Sequence, residues 1–329
     1  DVERSRGLGD VYKRQILVGI RDSKLSRTQT NILLNQLVSV SSEITNESFV
    51  IKTVKTKGDI HNEKRLDQIG GKGLFIKEIE DQILKSKVDI GVHSMKDVPA
   101  EDSSDKLDII CWFKRENHRE ALLSNSGQKF FDLPPGSVIG TSSIRRRAQI
   151  LNLRQDLNIK LLRGNVDTRI KKLRENNYDA IILSFAGLKR LGLIDQVTEE
   201  LDEENFLPAA CQGTIGIQAK RGNNLKDVFA IINHHETEIA SLTERKVLKT
   251  IKANCNSPIS VYAIINDDVI ILKCEIFDHN GLKIFSKDIS DVKNKYLSLA
   301  DELSQTILKD VGQEKINKLN NINDFNYSL

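Results

Sequence analysis

The stretch Ser137-Val-Ile-Gly-Thr-Ser-Ser-Ile-Arg-Arg-Arg147 joins a short apolar strand to the start of a helix. The same order recurs at Ile16–Ile20, where Ser23 has the side chain of a helix N-cap and a helix running to about Val40 is expected. It recurs again after the apolar segment Asn158–Leu162. Strands that alternate with amphipathic helices predict an α/β fold with a largely parallel sheet covered by helices.

Basic and hydroxyl side chains stand at these strand-to-helix junctions. In such sheets ligands bind beyond the carboxyl ends of the strands, where helix N-termini present free N–H groups to anions. Arginine grips a carboxylate or phosphate through two parallel hydrogen bonds, so a polyanionic ligand larger than one phosphate is expected. The residues are Arg21, Ser23, Lys96, Thr141, Ser142, Ser143, Arg145, Arg146, Arg163, Arg169 and Arg190.

Length and composition narrow the class of protein. A chain of 329 residues predicts two or three domains. The formal net charge is only +3, which argues against a general nucleic-acid-binding protein. No apolar run approaches the roughly 20 residues of a membrane span. The four cysteines show no CxxC spacing, so a disulfide framework and a zinc site are both disfavoured and a cytoplasmic location is expected.

Two residues suggest chemistry beyond binding. Asp97 lies among the bases in Val92-His-Ser-Met-Lys-Asp-Val-Pro99, and it is interpreted as a carboxylate that stabilises a transient cation or moves a proton. The alternative is a helix N-cap or a salt-bridge partner. Cys255 is interpreted as the tether of a covalently held cofactor, and the alternative is a buried, inert thiol. Asp59 is a weaker candidate and is better explained as a turn residue.

The remaining segments lead to structural expectations. Residues 1–15 lack apolar periodicity and are interpreted as a non-native or disordered leader. Gly70–Gly73 lacks the Walker spacing, so a flexible loop is expected there instead of a nucleotide site. The adjacent His234 and His235 would not share a helix face, which disfavours a metal site. After Glu236 a helix, antiparallel strands and a last helix predict a small α+β domain, and the tail from Asn317 is expected to fray.

Several motifs in one order resemble the porphobilinogen deaminase family, also called hydroxymethylbilane synthases, from about Ile16 to the C-terminal helix. They are Gly70-Gly-Lys-Gly-Leu-Phe75, Val92-His-Ser-Met-Lys-Asp-Val-Pro99, Gly140-Thr-Ser-Ser-Ile-Arg-Arg146, Leu162-Arg-Gly-Asn-Val166 and Ala186-Gly-Leu-Lys-Arg-Leu-Gly192. The resemblance implies two domains similar to type II periplasmic binding proteins, with mixed, largely parallel sheets, and a small α+β C-terminal domain. The implied ranges are residues 16–113 with 213–232, residues 114–212, and residues 233–329.

The resemblance also implies an activity. In that family a dipyrromethane cofactor is held by a cysteine thioether, and four porphobilinogen molecules are joined to it head to tail with loss of ammonia. Hydrolysis then releases hydroxymethylbilane. By match of motif, Cys255 is the attachment thiol, Asp97 is the catalytic carboxylate and Lys72 lies on a mobile loop. The residues implied to hold cofactor and substrate, or to lie beside them, are Arg21, Ser23, Lys96, Thr141, Ser143, Arg145, Arg146, Arg163, Gly164, Arg169, Arg190, Gln212 and Gly213.

The chain departs from the family pattern at a few positions. Gln68 stands where a lysine is frequent, Cys211 replaces a usual glycine, and Ala253 and Asn254 precede Cys255 where glycine is commoner. None of these changes removes Asp97, so activity is expected, with a monomer as the working assembly. The alternatives are a non-enzymatic protein that binds small anions, which would leave the third domain unexplained, and an inactive family member.

Overall fold

Strands alternate with helices through most of the chain. The computed structural model describes residues 15–56, 73, 76–101, 104–254 and 256–321. Among these residues the strands are β1 (Ile16–Arg21), β2 (Phe49–Val54), β3 (Ile90–Ser94), β4 (Leu107–Trp112), β5 (Glu120–Ser124), β6 (Val138–Thr141), β7 (Asn158–Leu161), β8 (Ala180–Ser184), β9 (Glu199–Leu201), β10 (Ile215–Lys220), β11 (Ile259–Asn266), β12 (Val269–Phe277) and β13 (Lys283–Val292). The α-helices are α1 (Lys24–Val40), α2 (Lys77–Leu84), α3 (Ile144–Leu153), α4 (Val166–Arg174), α5 (Phe185–Arg190), α6 (Leu225–Phe229), α7 (His235–Thr250), α8 (Tyr296–Asp310) and α9 (Gln313–Leu319).

Two five-stranded sheets repeat one topology. The first has the order β2-β1-β3-β10-β4 and the second has the order β7-β6-β8-β5-β9. In each sheet the first three strands are parallel, and the fourth is antiparallel to both of its neighbours. The predicted fold class, with mixed and largely parallel sheets, is confirmed. The sequence patterns did not identify β5, β9 or β10, which supply the antiparallel part of each sheet.

Helices cover both faces of each five-stranded sheet. In the first sheet, Leu33 of α1 and Phe229 of α6 pack on one face, and Ile79 of α2 packs on the other. In the second sheet, Ile150 of α3 lies in the core of one face and Leu173 of α4 in that of the other. Because both faces of the central strands are buried, those strands read as nearly continuous apolar runs in the sequence.

The C-terminal part is a three-stranded antiparallel sheet, β11-β12-β13, packed against helices. Val247 of α7, Leu303 of α8 and Ile316 of α9 are buried in one cluster with the strands. The small α+β domain is therefore confirmed. The expectation that the tail frays is wrong at Asn317, because α9 continues to Leu319, whose apolar side chain is buried in the same cluster. The part of the tail beyond residue 321 lies outside the described residues.

Contacts between Cα atoms divide the chain into two compact units. The first contains residues up to Arg115 together with Thr214–Glu238, and the second contains Glu116–Gly213 together with Ile239–Leu329. The small C-terminal sheet thus belongs to the same unit as the second five-stranded sheet. No helix among the described residues is long and apolar enough to cross a membrane.

Candidate active site

Arg21 and Ser23 lie at the carboxyl end of β1, as the sequence predicts. Arg21 is the last residue of the strand and pairs with Val54 of β2. The Ser23 hydroxyl accepts a hydrogen bond from the backbone N–H of Ser26 at 3.2 Å and caps α1. The predicted N-cap and the predicted end of the helix at Val40 are both confirmed. This cap satisfies the N–H group of Ser26. The other N–H groups at the start of a helix have no partner within the helix and can bind an anion.

Asp97 closes a short 3-10 helix, Met95–Asp97, that follows β3 directly. Met95 fastens this turn to the sheet, because its backbone N–H donates to Thr214 O at 3.0 Å and its side chain is 1% exposed. A Cβ at Gly216 would lie 2.2 Å from the Met95 sulfur, so only glycine leaves room for it. Lys96 and Asp97 remain half-buried at the sheet edge.

The Asp97 carboxylate is not used by the fold around it. It makes no hydrogen bond or ion pair with another residue that the structure describes. The N-cap of the 3-10 helix is Ser94, whose hydroxyl is bonded to the Gln29 side chain. An acidic side chain that neither caps a helix nor pairs with a base is available to a ligand at this edge.

A chain of buried side chains lies beneath the Asp97 turn. Gln218 of β10 donates from Nε2 to Glu80 Oε1 at 2.9 Å, so its Oε1 faces His93 Nε2 at 3.2 Å. His93 must therefore carry its proton on Nε2. Burial, with a smaller contribution from the charge of Arg21, lowers the pKa of His93 to about 4, although the Gln218 hydrogen bond acts in the opposite direction. A Cβ at Gly91 would lie 2.7 Å from His93 Nε2, so that glycine makes room for the ring.

The second sheet presents its polar residues at the equivalent junction, between β6 and α3. Thr141 is 1% exposed, and its hydroxyl accepts from the Ser143 N–H at 3.1 Å. The Ser143 hydroxyl in turn accepts from the Arg146 N–H at 3.4 Å and caps α3. The hydroxyls predicted as ligands of an anion thus also hold the backbone of the helix start.

Arg145 and Arg146 share one buried carboxylate, Glu120. Arg145 Nη2 is 2.5 Å from Glu120 Oε1, and Arg146 Nη2 is 2.6 Å from Glu120 Oε2. The remaining Nη1 groups donate to Leu207 O and Ile182 O, each at 2.9 Å. Glu120 is fully buried and both arginines are nearly so. Desolvation lowers the pKa of Arg145, and the charge of Glu120 opposes this effect.

This cluster carries an excess of positive charge. One carboxylate faces two guanidinium groups, and Arg146 Nε is buried with no hydrogen-bond partner among the described residues. A buried donor without an acceptor is unfavourable, and so is a buried cation without a counter-charge. A ligand that carries carboxylates fits this arrangement, because it would supply both an acceptor and negative charge.

Arg163, Gly164 and Arg169 lie together after β7. Arg163 is 6% exposed, and Gly164 adopts a φ of +114°, which favours glycine. Arg169 Nε donates to the carbonyl oxygen of Gly164 at 2.8 Å. The Arg-Gly-Asn motif therefore forms a turn whose carbonyl is held by a side chain from the first turn of α4.

Arg190, Gln212 and Gly213 form a further group in the second unit. Arg190 Nη2 donates to Gly213 O at 2.6 Å, and Gln212 Nε2 donates to His118 O at 2.7 Å. Desolvation lowers the pKa of Arg190 to about 10, with Glu116 opposing. The structure thus places these three predicted residues close together, although Arg190 ends α5 and Gln212 and Gly213 lie just before β10.

Two predicted residues cannot be placed. Cys255 and Lys72 lie outside the described residues, as do Asp59, Gln68 and most of the predicted glycine loop. Gly73 is described, with a φ of +73° and with Pro99 as a neighbour of its Cβ position at 3.7 Å. The start of α2 is therefore close to the turn that carries Asp97.

Cys211, which departs from the family pattern, has a backbone that suits glycine. Its φ is +59°, in the left-handed region, and its N–H donates to Glu244 Oε2 at 2.6 Å. The thiol is 1% exposed and lies 3.7 Å from Ser241 O. A residue with a side chain in this left-handed conformation is about 1–2 kcal/mol less stable there than glycine.

Glu120 and Gln218 are the site residues that the sequence reasoning missed. Each lies in a strand that was not identified, and each bonds to residues that are distant in the chain. A signal was present for Glu120, because a charged residue opens the otherwise apolar run Glu120-Ala-Leu-Leu-Ser124. A buried carboxylate is almost always paired, so an arginine partner could have been expected.

Comparison with known families gives two matches that together span most of the chain. The family model "Porphobilinogen deaminase, dipyromethane cofactor binding domain" matches residues 16–227. The model "Porphobilinogen deaminase, C-terminal domain" matches residues 238–311.

Individual relatives agree with these models. A porphobilinogen deaminase of Exiguobacterium sp. is 40% identical over 309 residues, which cover 93% of this chain and 99% of the relative. One from Clostridium botulinum is 41% identical over 294 residues, 89% of this chain and 99% of the relative. Among solved structures, a putative methionine-binding lipoprotein from Bacillus subtilis gives a TM-score of 0.41 at 11% identity, covering 68% of this chain and 91% of the other. The periplasmic VFT2 domain of Bordetella pertussis BvgS gives 0.40 at 10% identity, covering 72% and 95%.

Proposed function

The chain belongs to the porphobilinogen deaminase family, and from that premise we propose that it joins four porphobilinogen molecules head to tail with loss of ammonia. Hydrolysis then releases linear hydroxymethylbilane. The observation that carries this proposal is the match of both family models, which together reach from residue 16 to residue 311. Relatives about 40% identical over nearly their whole length support it.

We propose that a dipyrromethane cofactor is attached through the thiol of Cys255. When bound, the cofactor supplies the pyrrole to which the first substrate is joined. The buried, positively charged cluster around Glu120 suits its carboxylates, because Arg146 Nε lacks an acceptor there. Arg145 and Arg146 would hold those carboxylates in place, and Glu120 would keep both guanidinium groups oriented.

Asp97 is the proposed catalytic carboxylate. Its half-buried side chain has no partner among the described residues, so it is free to accept hydrogen bonds from pyrrole N–H groups. As the C–N bond to ammonia breaks, positive charge develops on the substrate, and a fixed carboxylate stabilises that charge. The turn fastened by Met95 would keep Asp97 in position during this step.

The other basic and hydroxyl residues would bind the acetate and propionate groups of cofactor and substrate. Guanidinium groups at the ends of different strands can each hold one carboxylate of a chain that carries many. Lys72 is proposed to lie on a loop that covers the bound ligand. The proposed set is Arg21, Ser23, Lys96, Thr141, Ser143, Arg163, Gly164, Arg169, Arg190, Gln212 and Gly213.

The three-domain division remains part of the proposal. Residues 16–113 with 213–232, residues 114–212 and residues 233–329 would form the three domains, and separate buried clusters in each range support them. A monomer, a cytoplasmic location and no binding of nucleic acid are proposed as well. Nothing favours the alternative of a non-enzymatic anion-binding protein, because both family models are those of porphobilinogen deaminase.

Intact-mass measurement of the purified protein tests the function. After expression in a host that makes porphobilinogen, the wild-type chain is expected to carry a covalent dipyrrole, and Cys255→Ser is expected to carry none. Cys274→Ser serves as the matched control, because this fully buried thiol should leave the adduct in place. An unmodified wild-type mass would contradict the proposal.

A further inference from the structure

The last helix, α9, lies beyond the C-terminal family model, which ends at residue 311. Ile316 and Leu319 anchor it in the apolar cluster of the C-terminal domain, where both are nearly fully buried. Two polar residues of this segment, Gln313 and Asn320, point to the loop that follows α7. That loop contains position 255.

The end of α7 leaves carbonyl groups that the helix cannot satisfy. Lys252 has a φ of +55°, and the Ala253 N–H donates back to Leu248 O at 2.9 Å, a Schellman-type end in which glycine is usual. Two carbonyl oxygens just beyond the helix accept hydrogen bonds from side chains of the C-terminal segment. Gln313 Nε2 donates to Ile251 O at 3.0 Å, and Asn320 Nδ2 donates to Lys252 O at 2.9 Å.

Asn320 also binds the other flank of the loop, at Ser257. The Asn254 N–H donates to the Ser257 hydroxyl at 3.0 Å, so the single hydroxyl proton of Ser257 is directed to Asn320 Oδ1. With Oδ1 committed in this way, Nδ2 must face Lys252 O. One side-chain amide therefore joins residue 252 to residue 257, and Ser257 itself is only 4% exposed.

We propose that Asn320 and Gln313 are positioning residues for cofactor attachment, a role that rests on the proposed function of Cys255. By holding both flanks, Asn320 sets the separation of the loop ends between which Cys255 stands. Holding Lys252 and Ser257 at a fixed separation lowers the conformational entropy that is lost when the C–S bond forms between them, so attachment is expected to be faster. In that step the thiolate sulfur bonds to the aminomethyl carbon of porphobilinogen as the C–N bond breaks, and the protonated amino group leaves as ammonia. A second porphobilinogen then joins the free α-carbon of the first pyrrole, which gives up its proton, with loss of a second ammonia.

The test follows attachment directly. Full-length apoprotein from a host that makes no porphobilinogen is supplied with porphobilinogen, and intact mass is recorded over time at a temperature at which circular dichroism shows every variant folded. Asn320→Ala is expected to acquire the dipyrrole about tenfold more slowly than wild type, which corresponds to about 1.4 kcal/mol. Ser257→Ala should behave alike, and the double variant should be no slower than either, because the two residues act through one network.

Lys318→Ala is the matched control on the same helix, since its ion pair with Glu314 is exposed to solvent. It should attach the dipyrrole at the wild-type rate. If folded Asn320→Ala matches Lys318→Ala, the positioning role is overturned while the proposed function stands. Gln313→Ala provides the same comparison should Asn320→Ala fail to fold, with a slower rate expected and a wild-type rate overturning the inference. A wild-type chain that never gains the adduct would refute the function and the inference together.

Discussion

The two five-stranded sheets share one strand order but prepare their carboxyl ends differently. At the end of β3 in the first sheet, Asp97 has no partner among the described residues and the side chains beneath it include a neutral imidazole, His93. At the end of β6 in the second sheet, Arg145 and Arg146 are bound to a fully buried Glu120. The first edge leaves a charge available, whereas the second orients its charges with a counterion.

The arrangement of charges at each edge suits the role proposed for that edge. A carboxylate that stabilises a transient cation is weakened by a permanent basic partner, because the partner already neutralises its charge. Guanidinium groups that bind stable anions gain from being held in place, because less side-chain entropy is lost when the anion binds. One topology thus supports a reacting group at one edge and a binding platform at the other.

Removing the unpaired charge at the first edge should have the largest effect. Asp97→Ala is expected to fold and to carry the cofactor but to lose about 10²–10⁴-fold in kcat, because the transient cation loses its carboxylate. Steady-state assays of bilane formation, with intact mass to verify cofactor loading, measure this. Asp105→Ala, an exposed turn position, should remain at wild-type activity. Near-normal turnover of Asp97→Ala would assign the carboxylate elsewhere.

Removing the counterion at the second edge should lower stability first. Glu120→Gln leaves two buried guanidinium groups without a negative partner, and the free energy of unfolding of the apoprotein is expected to fall by about 3–5 kcal/mol. Urea unfolding at neutral pH measures it. Glu200→Gln is the control, because its ion pair with Arg119 is partly exposed and contributes less than about 1 kcal/mol. Equal losses in the two variants would show that Glu120 does not balance the arginines.

Acid should weaken the first edge through His93. Its pKa is about 4 in the folded chain and near 6.5 when unfolded, so the unfolded chain binds the proton more readily. The resulting stabilisation is complete above pH 6.5, is lost as the pH falls to 4, and amounts to about 3 kcal/mol. Unfolding free energies measured between pH 7 and pH 4 should therefore fall less steeply in His93→Gln than in wild type. Equal slopes in His93→Gln and wild type would show that burial of His93 does not set this pH dependence.

Local features of the fold were predictable where a few neighbouring residues decide them. The N-cap at Ser23 and the antiparallel strands of the C-terminal domain follow from short patterns, and the structure has them. The helix around Asn317 was missed because asparagine content suggested fraying, whereas buried apolar residues of α9 hold it. β10 was missed because its place depends on β3 and β4, more than 100 residues earlier in the chain.

The sequence by itself determined the alternation of strands and helices, the basic residues at the strand-to-helix junctions and the family, because each depends on residues that are adjacent in the chain. Only the tertiary structure decided that Glu120 binds both arginines, that Gln218 sets the proton position on His93, and that Asn320 joins the flanks of position 255. These contacts join residues from 25 to 125 positions apart. Their partners are selected by which strands and helices become neighbours, and no short pattern in the chain records that choice.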